Sequence, residues 1–166
     1  MSGGAAKADA VARRAARLAA VQALYQMELT GEDADSVAEE FSAFRFGREP
    51  EITPGEPDEA FFGDLVRGVP QRQDEIDGAI TGCLAGGWRL SRVDSILRAI
   101  LRAGTYELIA RPDVPARVVI DEYVELAHAF FADEEPSFVN AALDRLAHEK
   151  RAAEFGEPPP EGGVFF

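Results

Sequence analysis

Several residue types that often mark a class of protein are scarce in this sequence. Its 166 residues include one cysteine, two histidines and one tryptophan. The lone Cys83 excludes an internal disulfide bond. No apolar run approaches the roughly 20 residues that span a bilayer, and the first residues lack the apolar core of a secretory signal. These absences predict a cytoplasmic protein with no membrane segment.

The motifs of common enzyme classes are missing as well. The sequence contains no P-loop, no G-x-G-x-x-G after a strand and no setting for a nucleophile elbow. Glu125 and His128 form one E-x-x-H pair, whereas the di-metal site of a ferritin-like bundle needs two such pairs and two further glutamates. We therefore expect Glu125 and His128 on a solvated face and Cys83 as a half-buried helical thiol. Neither an enzyme nor a bound cofactor or metal is expected.

Positive charge is also scarce, and it is unevenly distributed. The formal net charge is −13, but residues 1–30 contain four basic and two acidic side chains, a local charge of +2 that leaves −15 for the remainder. An acidic body repels polyanions and attracts a basic partner, whereas the first segment does the reverse. The basic segment is therefore a local feature that needs its own explanation.

Apolar periodicity and the positions of proline and glycine predict helices and no strand. An uninterrupted first helix is expected from Ala6 to about Leu29, followed by a stop at Gly31. Asp58 stands at the N-cap of a later helix that Pro70 kinks or breaks. A single apolar face is clearest in one stretch of the second half: Ile120, Tyr123, Val124, Ala127, Phe130 and Phe131.

These elements predict an all-α protein of two parts. We interpret residues 1–87 as an N-terminal helical subdomain with an arginine-rich first helix and 88–152 as a C-terminal helical subdomain. Residues 153–166 are rich in proline and glycine, which is typical of a disordered tail. A long loop is expected at 47–57, because this stretch combines three prolines with two glycines.

Two features favour nucleic-acid binding without deciding it. Arg13 and Arg17 are four residues apart and share a helix face, with Arg14 about 60° away, so they could bind neighbouring phosphates or simply form a solvated helix end. Phe138 lies about 85° from the apolar stripe of the last helix, at the rim of the core. An aromatic ring there can stack on a base, although packing under a neighbouring loop is the commoner role.

Three segments carry a combination of motifs that is far more specific than any one of them. They are RRAARLAAVQALYQMEL in the first helix, VDSILRAILRAGTYELIARPDVPARVVIDEYVELAHAFF in the second half and SFVNAALDRLA near its end. Together they resemble the NusB family of bacterial transcription antitermination factors over roughly residues 8–150. The resemblance implies an all-helical NusB-like fold of two small bundles packed together.

The resemblance also implies a function in RNA binding without catalysis. NusB proteins bind the boxA element of ribosomal RNA leaders together with NusE, a small-subunit ribosomal protein, and help RNA polymerase resist termination. Matched position by position, RNA contacts are implied at Arg13, Arg14, Arg17 and Phe138. Tyr25 falls on the family's Ala-Leu-Tyr motif and borders the same surface.

The resemblance extends to protein partners. Asp94, at the start of a helix of the acidic second half, is implied as a contact for basic NusE. Because some family members self-associate, both a monomer and a homodimer remain open. A helical module that binds only proteins is the alternative of a different class. The NusB-like domain joined to RNA cytosine methyltransferases is disfavoured, because the chain has no Rossmann fingerprint and no length for a catalytic domain.

Overall fold

The computed structural model describes residues 2–45, 57–84 and 89–158, and within these ranges the chain is helical without a strand. The α-helices are α1 (Ser2–Thr30), α2 (Ala34–Glu40), α3 (Glu59–Gln71), α4 (Gln73–Cys83), α5 (Ser95–Ala110), α6 (Ala116–Phe130) and α7 (Glu135–Lys150). A π-helical turn follows α2 at Phe41–Arg45, and 3-10 turns cover Leu90–Arg92 and Ala152–Phe155. The predicted all-α class is confirmed. The predicted 47–57 loop lies outside the described residues except for Pro57.

Helices α1, α2 and α3 form the first of two compact units, Met1–Gln71. The face of α1 that packs in this unit is built largely of small side chains: Ala15, Ala16, Ala19, Ala20 and Ala23 are all buried. The rings of Phe41 and Phe62 stack in the core with their centroids 5.5 Å apart. Gly31 ends α1 as predicted: its φ of 76° is left-handed, and its N–H donates to the carbonyl of Met27.

Helix α3 begins and ends where the sequence predicts. Asp58 caps it, because its Oδ1 accepts from the N–H of Phe61 at 3.0 Å. Pro70 stands in the last turn, and the helix stops at Gln71. After one turn residue, Arg72, a separate helix α4 begins. The break that proline imposes is therefore a true helix end.

The second compact unit is Arg72–Phe166, so the division between the units falls earlier than the predicted 87/88 boundary. Helix α4 packs on α5 and α7 and belongs to this unit rather than to the first. Helix α5 lies at the centre, in contact with α4, α6 and α7. Gly104 allows α7 to approach closely, because a Cβ there would lie 2.9 Å from Cδ1 of Leu143. All four residues of the predicted α7 stripe are buried: Val139, Ala142, Leu143 and Leu146.

Arg151 closes the second unit by binding the end of α5. Its guanidinium donates to the carbonyl oxygens of Glu107, Leu108 and Arg111 at 2.8–3.0 Å and to that of Val114 at 2.8 Å. The carbonyls of Glu107 and Arg111 also accept from the backbone N–H groups of Arg111 and Val114, so Arg151 is a second donor to them. It also supplies a donor to the carbonyl of Leu108 in the last turn of α5, where carbonyls lack partners within the helix. We call this set of hydrogen bonds the Arg151 clamp.

The Arg151 clamp overturns part of the predicted disordered tail. The carboxylate of Glu154 accepts from Arg151 at 2.6 Å and from the N–H of Ala116, the first residue of α6, at 2.9 Å. The ring of Phe155 stacks on His148 with a 4.0 Å centroid separation. Residues 153–158 are therefore structured by contacts with distant parts of the chain. Residues 159–166 lie outside the described residues.

Candidate nucleic-acid interface

Two of the three arginines in α1 stack against one aromatic ring. The guanidinium carbons of Arg13 and Arg17 lie 4.8 Å and 4.9 Å from the ring centroid of Phe61. Because the two arginines are four residues apart, they lie one helical turn from each other on the same face, as predicted. The aromatic ring offers both cations a favourable cation–π contact.

The start of α3 adds a negative group to this arrangement. Oδ2 of Asp58 lies 3.9 Å from Nε of Arg13, while its Oδ1 caps α3. The N–H of Asp58 donates to the carbonyl of Ala12 at 3.0 Å, which joins the start of α3 to α1. We call Arg13, Arg17, Asp58 and Phe61 the Arg–Phe61 cluster. It orients Arg13, whose side chain is 34% exposed.

The three arginines differ in exposure, and this corrects one expectation. Arg14 is exposed, but Arg17 is only 3% exposed. The interpretation of Arg17 as part of a solvated helix end is therefore wrong. Its long side chain is covered in the folded chain, where it packs on Phe61.

Tyr25 is half-buried, farther along α1. It lies close to the direction of Arg14 around the helix axis but about 16 Å along it, from the rise of 1.5 Å per residue. Between them on this side of the helix Val21 is 1% exposed. The structure therefore does not join Tyr25 to Arg14 through a continuous exposed face.

Phe138 belongs to the second unit, in the first turn of α7. Its side chain is half-buried, while its neighbour Val139 is fully buried, which agrees with the predicted position at the rim of the core. Pro136 is buried near the start of the helix, where a proline ring suits the fixed backbone angle. The exposed part of the Phe138 ring is available for a ligand.

Asp94 is exposed and caps α5. Its Oδ1 accepts from the N–H of Ile96 at 2.9 Å and of Leu97 at 3.3 Å. Asp94 is thus itself the capping group of α5. The carboxylate serves the helix, and a partner contact at this position would be an additional role.

Phe61 and Asp58 were not predicted as site residues. Asp58 was identified only as a helix cap, and Phe61 carries no pattern that distinguishes it from a core phenylalanine. Both lie more than 40 positions from the arginines that they contact. No local sequence signal could have assigned them, because the contact depends on how α3 packs against α1.

The residues considered for catalysis and metal binding lie in environments that do not favour either role. Glu125 and His128 are exposed, as predicted for a solvated face. Cys83 is buried, and burial, reinforced by the charge of Glu149, raises the pKa of its thiol. A raised pKa reduces the fraction of reactive thiolate. Within the described ranges, none of the helices combines the length and apolar character that a bilayer crossing demands.

Comparison with known proteins assigns the family. The sequence-family model described as "NusB family" matches residues 14–148, a range that includes most of both units. The chain belongs to the NusB family. Similar NusB relatives include the transcription antitermination protein NusB of Maricaulis maris, 56% identical over 146 residues that cover 86% of this chain and 90% of the relative. The one from Caulobacter vibrioides is 54% identical over 143 residues, covering 84% and 94%.

Solved NusB structures share the fold. T. maritima NusB aligns with a TM-score of 0.73 and 32% identity, covering 87% of this chain and 96% of that one. A chain from the crystal structure of the antitermination factors NusB and NusE in complex with double-stranded RNA aligns with a TM-score of 0.63 and 26% identity. It covers 81% of this chain and 94% of that one. The NusB-like architecture expected from the sequence is confirmed.

Proposed function

We propose that this chain is an RNA-binding transcription antitermination factor that binds boxA-type RNA of ribosomal RNA leaders together with NusE. The observation that carries the proposal is the family match across residues 14–148, supported by antitermination relatives more than half identical. The factor acts by binding within the antitermination complex of RNA polymerase and has no catalytic step. It does so in the cytoplasm, where transcription takes place in bacteria.

The RNA surface of the first unit is the exposed end of α1. Arg14 is exposed and Arg13 partly so, and their guanidinium groups can donate paired hydrogen bonds to phosphate oxygens. Arg17 has a supporting role in this proposal, because it is covered and stacks on the same ring as Arg13. The Arg–Phe61 cluster thus limits the freedom of Arg13 before RNA binds, which reduces the entropy lost on binding.

The second unit contributes an aromatic contact and a protein contact. Phe138 stacks its exposed part on an unpaired base, which is the usual way in which proteins hold single-stranded RNA. Asp94 presents a carboxylate to basic NusE at the start of α5. Tyr25 is assigned the border of the RNA surface on the first unit.

A titration tests this function directly. A labelled boxA-like RNA is titrated with the chain alone and with the chain mixed with NusE, and an unrelated single-stranded RNA of equal length is the control. We expect weak binding by the chain alone and tighter, boxA-selective binding with NusE. Binding of NusE without any RNA binding would favour the protein-only module. Sedimentation of the free chain in the same buffer distinguishes a monomer from a homodimer.

A further inference from the structure

The short 3-10 turn before α5 presents two exposed arginines. Arg92 lies in the turn Leu90–Arg92, and Arg89 immediately precedes it. The N–H of Arg92 donates to the carbonyl of Arg89 at 2.9 Å, which closes the turn. A hydrogen bond of this kind, from the fourth residue of a turn back to the first, brings the Cα atoms of the two residues within about 7 Å of each other. The two guanidinium groups can therefore reach one ligand or two adjacent groups of the same ligand.

In the described part of the chain, neither of these two arginines is paired with a carboxylate. No hydrogen bond or ion pair joins either guanidinium to another residue in the part of the chain that the structure describes. Most arginines of this acidic chain are engaged, and several form pairs with carboxylates, among them Arg13 with Asp58, Arg67 with Asp35, Arg72 with Glu75, Arg102 with Asp77, Arg111 with Asp113 and Arg151 with Glu154. Arg89 and Arg92 are thus two neighbouring exposed cations on a protein of net charge −13.

A buried side chain holds this turn in place. The guanidinium of Arg98 is covered, and its Nη1 donates to the carbonyls of Leu90 at 3.1 Å, Ser91 at 3.3 Å and Val93 at 2.6 Å. Leu90 and Val93 are 8% and 5% exposed, so they anchor the turn from the inside. The turn carbonyls point inward to Arg98, and the arginines at 89 and 92 are left facing solvent. The cations are therefore presented from a fixed backbone.

The nearest acidic residue in sequence, Asp94, forms no ion pair with either arginine within the described residues. It follows Arg92 by two positions, and its Oδ1 accepts from the N–H groups at the start of α5. The exposed arginines Arg117 and Arg145 of the same unit also form no ion pair within the described residues, but they lie on two different helices, α6 and α7. Each has a carboxylate four residues later in the sequence, Asp121 and Glu149 respectively.

We infer that Arg89 and Arg92 form a second RNA-binding site, which takes the phosphate backbone of a single strand. The inference rests on the proposed RNA-binding function and adds a site in the second unit. Arginine guanidinium groups bind phosphate with paired hydrogen bonds. Arg17 is covered in the first unit, so α1 supplies fewer exposed cations than the sequence suggested. The positive charge of the pair selects an anionic ligand, and the phosphate backbone of RNA is the anionic ligand that the proposed function supplies.

The test is the salt dependence of RNA binding by the full chain. Arg89→Gln combined with Arg92→Gln removes two contacts, each of which contributes about 0.7 to the slope of log affinity against log salt for single strands. We expect the slope to become shallower by about 1.4, which over one decade of salt concentration is about a 25-fold difference in affinity. The matched control, Arg117→Gln combined with Arg145→Gln, changes the net charge equally and should change the slope much less.

Further variants distinguish the possible failures. Arg89→Lys combined with Arg92→Lys keeps both charges and should retain most of the salt slope. If the lysine variant loses the slope, the substitutions act by damaging the turn, and the inference is overturned. Equal slopes in the glutamine variant and the parent would overturn it as well, as would loss of NusE binding with RNA binding unchanged. If the parent binds no RNA with or without NusE, the proposed function fails too. Thermal melts of every variant confirm that the fold is intact.

Discussion

At the scale of single residues, the three arginines of α1 have three different environments. Arg14 is exposed, Arg13 is shared between solvent and the Arg–Phe61 cluster, and Arg17 is covered. Arginines at a spacing that indicates a phosphate-binding site can therefore serve two roles: some contact the ligand, and others support the fold. Substitutions at these positions should separate the two roles.

Arg17→Ala should destabilise the protein, whereas Arg14→Ala should not. The first change removes a covered side chain and its cation–π contact with Phe61, an interaction that contributes about 0.5–2 kcal/mol. The second changes an exposed position, where effects stay within about 0.5 kcal/mol. Denaturant unfolding of both variants measures the difference. Equal stabilities would show that the covered position of Arg17 has no energetic role.

Arg14→Ala should also weaken RNA binding, although it leaves the stability of the fold nearly unchanged. Its matched control is Arg67→Ala, which removes an exposed arginine paired with Asp35 on the same unit. An equal loss of RNA affinity in both variants would mean that only the total charge of the chain matters. The titration that tests the proposed function supplies the measurement.

Phe138→Ala should reduce RNA affinity more than it reduces stability. Loss of a base-stacking ring costs about 1–3 kcal/mol of binding free energy. The ring is half-buried, so its removal should cost less than the roughly 3–5 kcal/mol typical of a fully buried phenylalanine. Phe62→Ala, at a position 1% exposed, is the control for a pure core loss. If Phe138→Ala unfolds as readily as Phe62→Ala and binds RNA normally, the ring is a packing residue.

At the scale of elements, side chains from outside helix α5 form hydrogen bonds with the backbone at both of its ends. Asp94 caps the start through its side-chain oxygen, and the Arg151 clamp satisfies carbonyls at the end. The two ends differ in distance along the chain. The cap is adjacent to its helix, whereas the clamp comes from 43 and 44 positions downstream.

Asp94 caps α5 and is also proposed to contact NusE, so a substitution that tests the NusE contact must leave the cap intact. Asp94→Lys would remove the cap together with the charge, and loss of an N-cap costs about 0.5–2 kcal/mol. Asp94→Asn keeps a capping oxygen and removes only the charge, because asparagine caps helices as well as aspartate does. We expect Asp94→Asn to retain stability and to bind NusE more weakly, measured by calorimetry. Unchanged NusE binding would remove Asp94 from the partner surface.

Glu154 should give the second unit a pH dependence at acidic pH. The N–H of Ala116, followed by the guanidinium of Arg151, holds the pKa of this carboxyl below its ordinary value. Its contribution is therefore complete above the ordinary glutamate pKa and is lost as the pH falls through the lowered value. Melting temperatures of Glu154→Gln and the parent should differ at neutral pH and converge in acid. Glu39→Gln, at an exposed glutamate, should show no such convergence.

Most features of the individual elements can be predicted from local sequence patterns. The helices, the stop at Gly31, the cap at Asp58 and the α7 stripe follow from local patterns, and the structure confirms them. Three features depend on distant packing and could not be read locally. They are the covered position of Arg17 against Phe61, the assignment of α4 to the second unit and the order that Arg151 imposes on residues 153–158.

At the scale of the whole molecule, charge opposes the proposed function. A net charge of −13 repels RNA at long range, and this repulsion weakens as salt screens it. The exposed cations act at short range, in local groups on each unit. Affinity for RNA is therefore the small difference between attraction at a few positions and repulsion by the body.

NusE should make RNA binding both tighter and more sensitive to salt. A basic partner covers negative charge and adds phosphate contacts, and each added contact steepens the slope by about 0.7 for single strands. Titrations at several salt concentrations, with and without NusE, give both slopes. An unchanged slope with higher affinity would mean that NusE acts by ordering the chain, without binding RNA itself.

The Arg151 clamp has a consequence for biosynthesis. During translation the carbonyls of Glu107 and Leu108 are made well before the side chain that binds them, and at about 5–20 residues per second the delay is about 2–9 s. Until Arg151 emerges from the ribosome, these carbonyls lack the donor that it supplies in the folded chain. The nascent second unit thus passes through an interval in which it is complete in its first three helices but not yet closed, and in which a chaperone could recognise it.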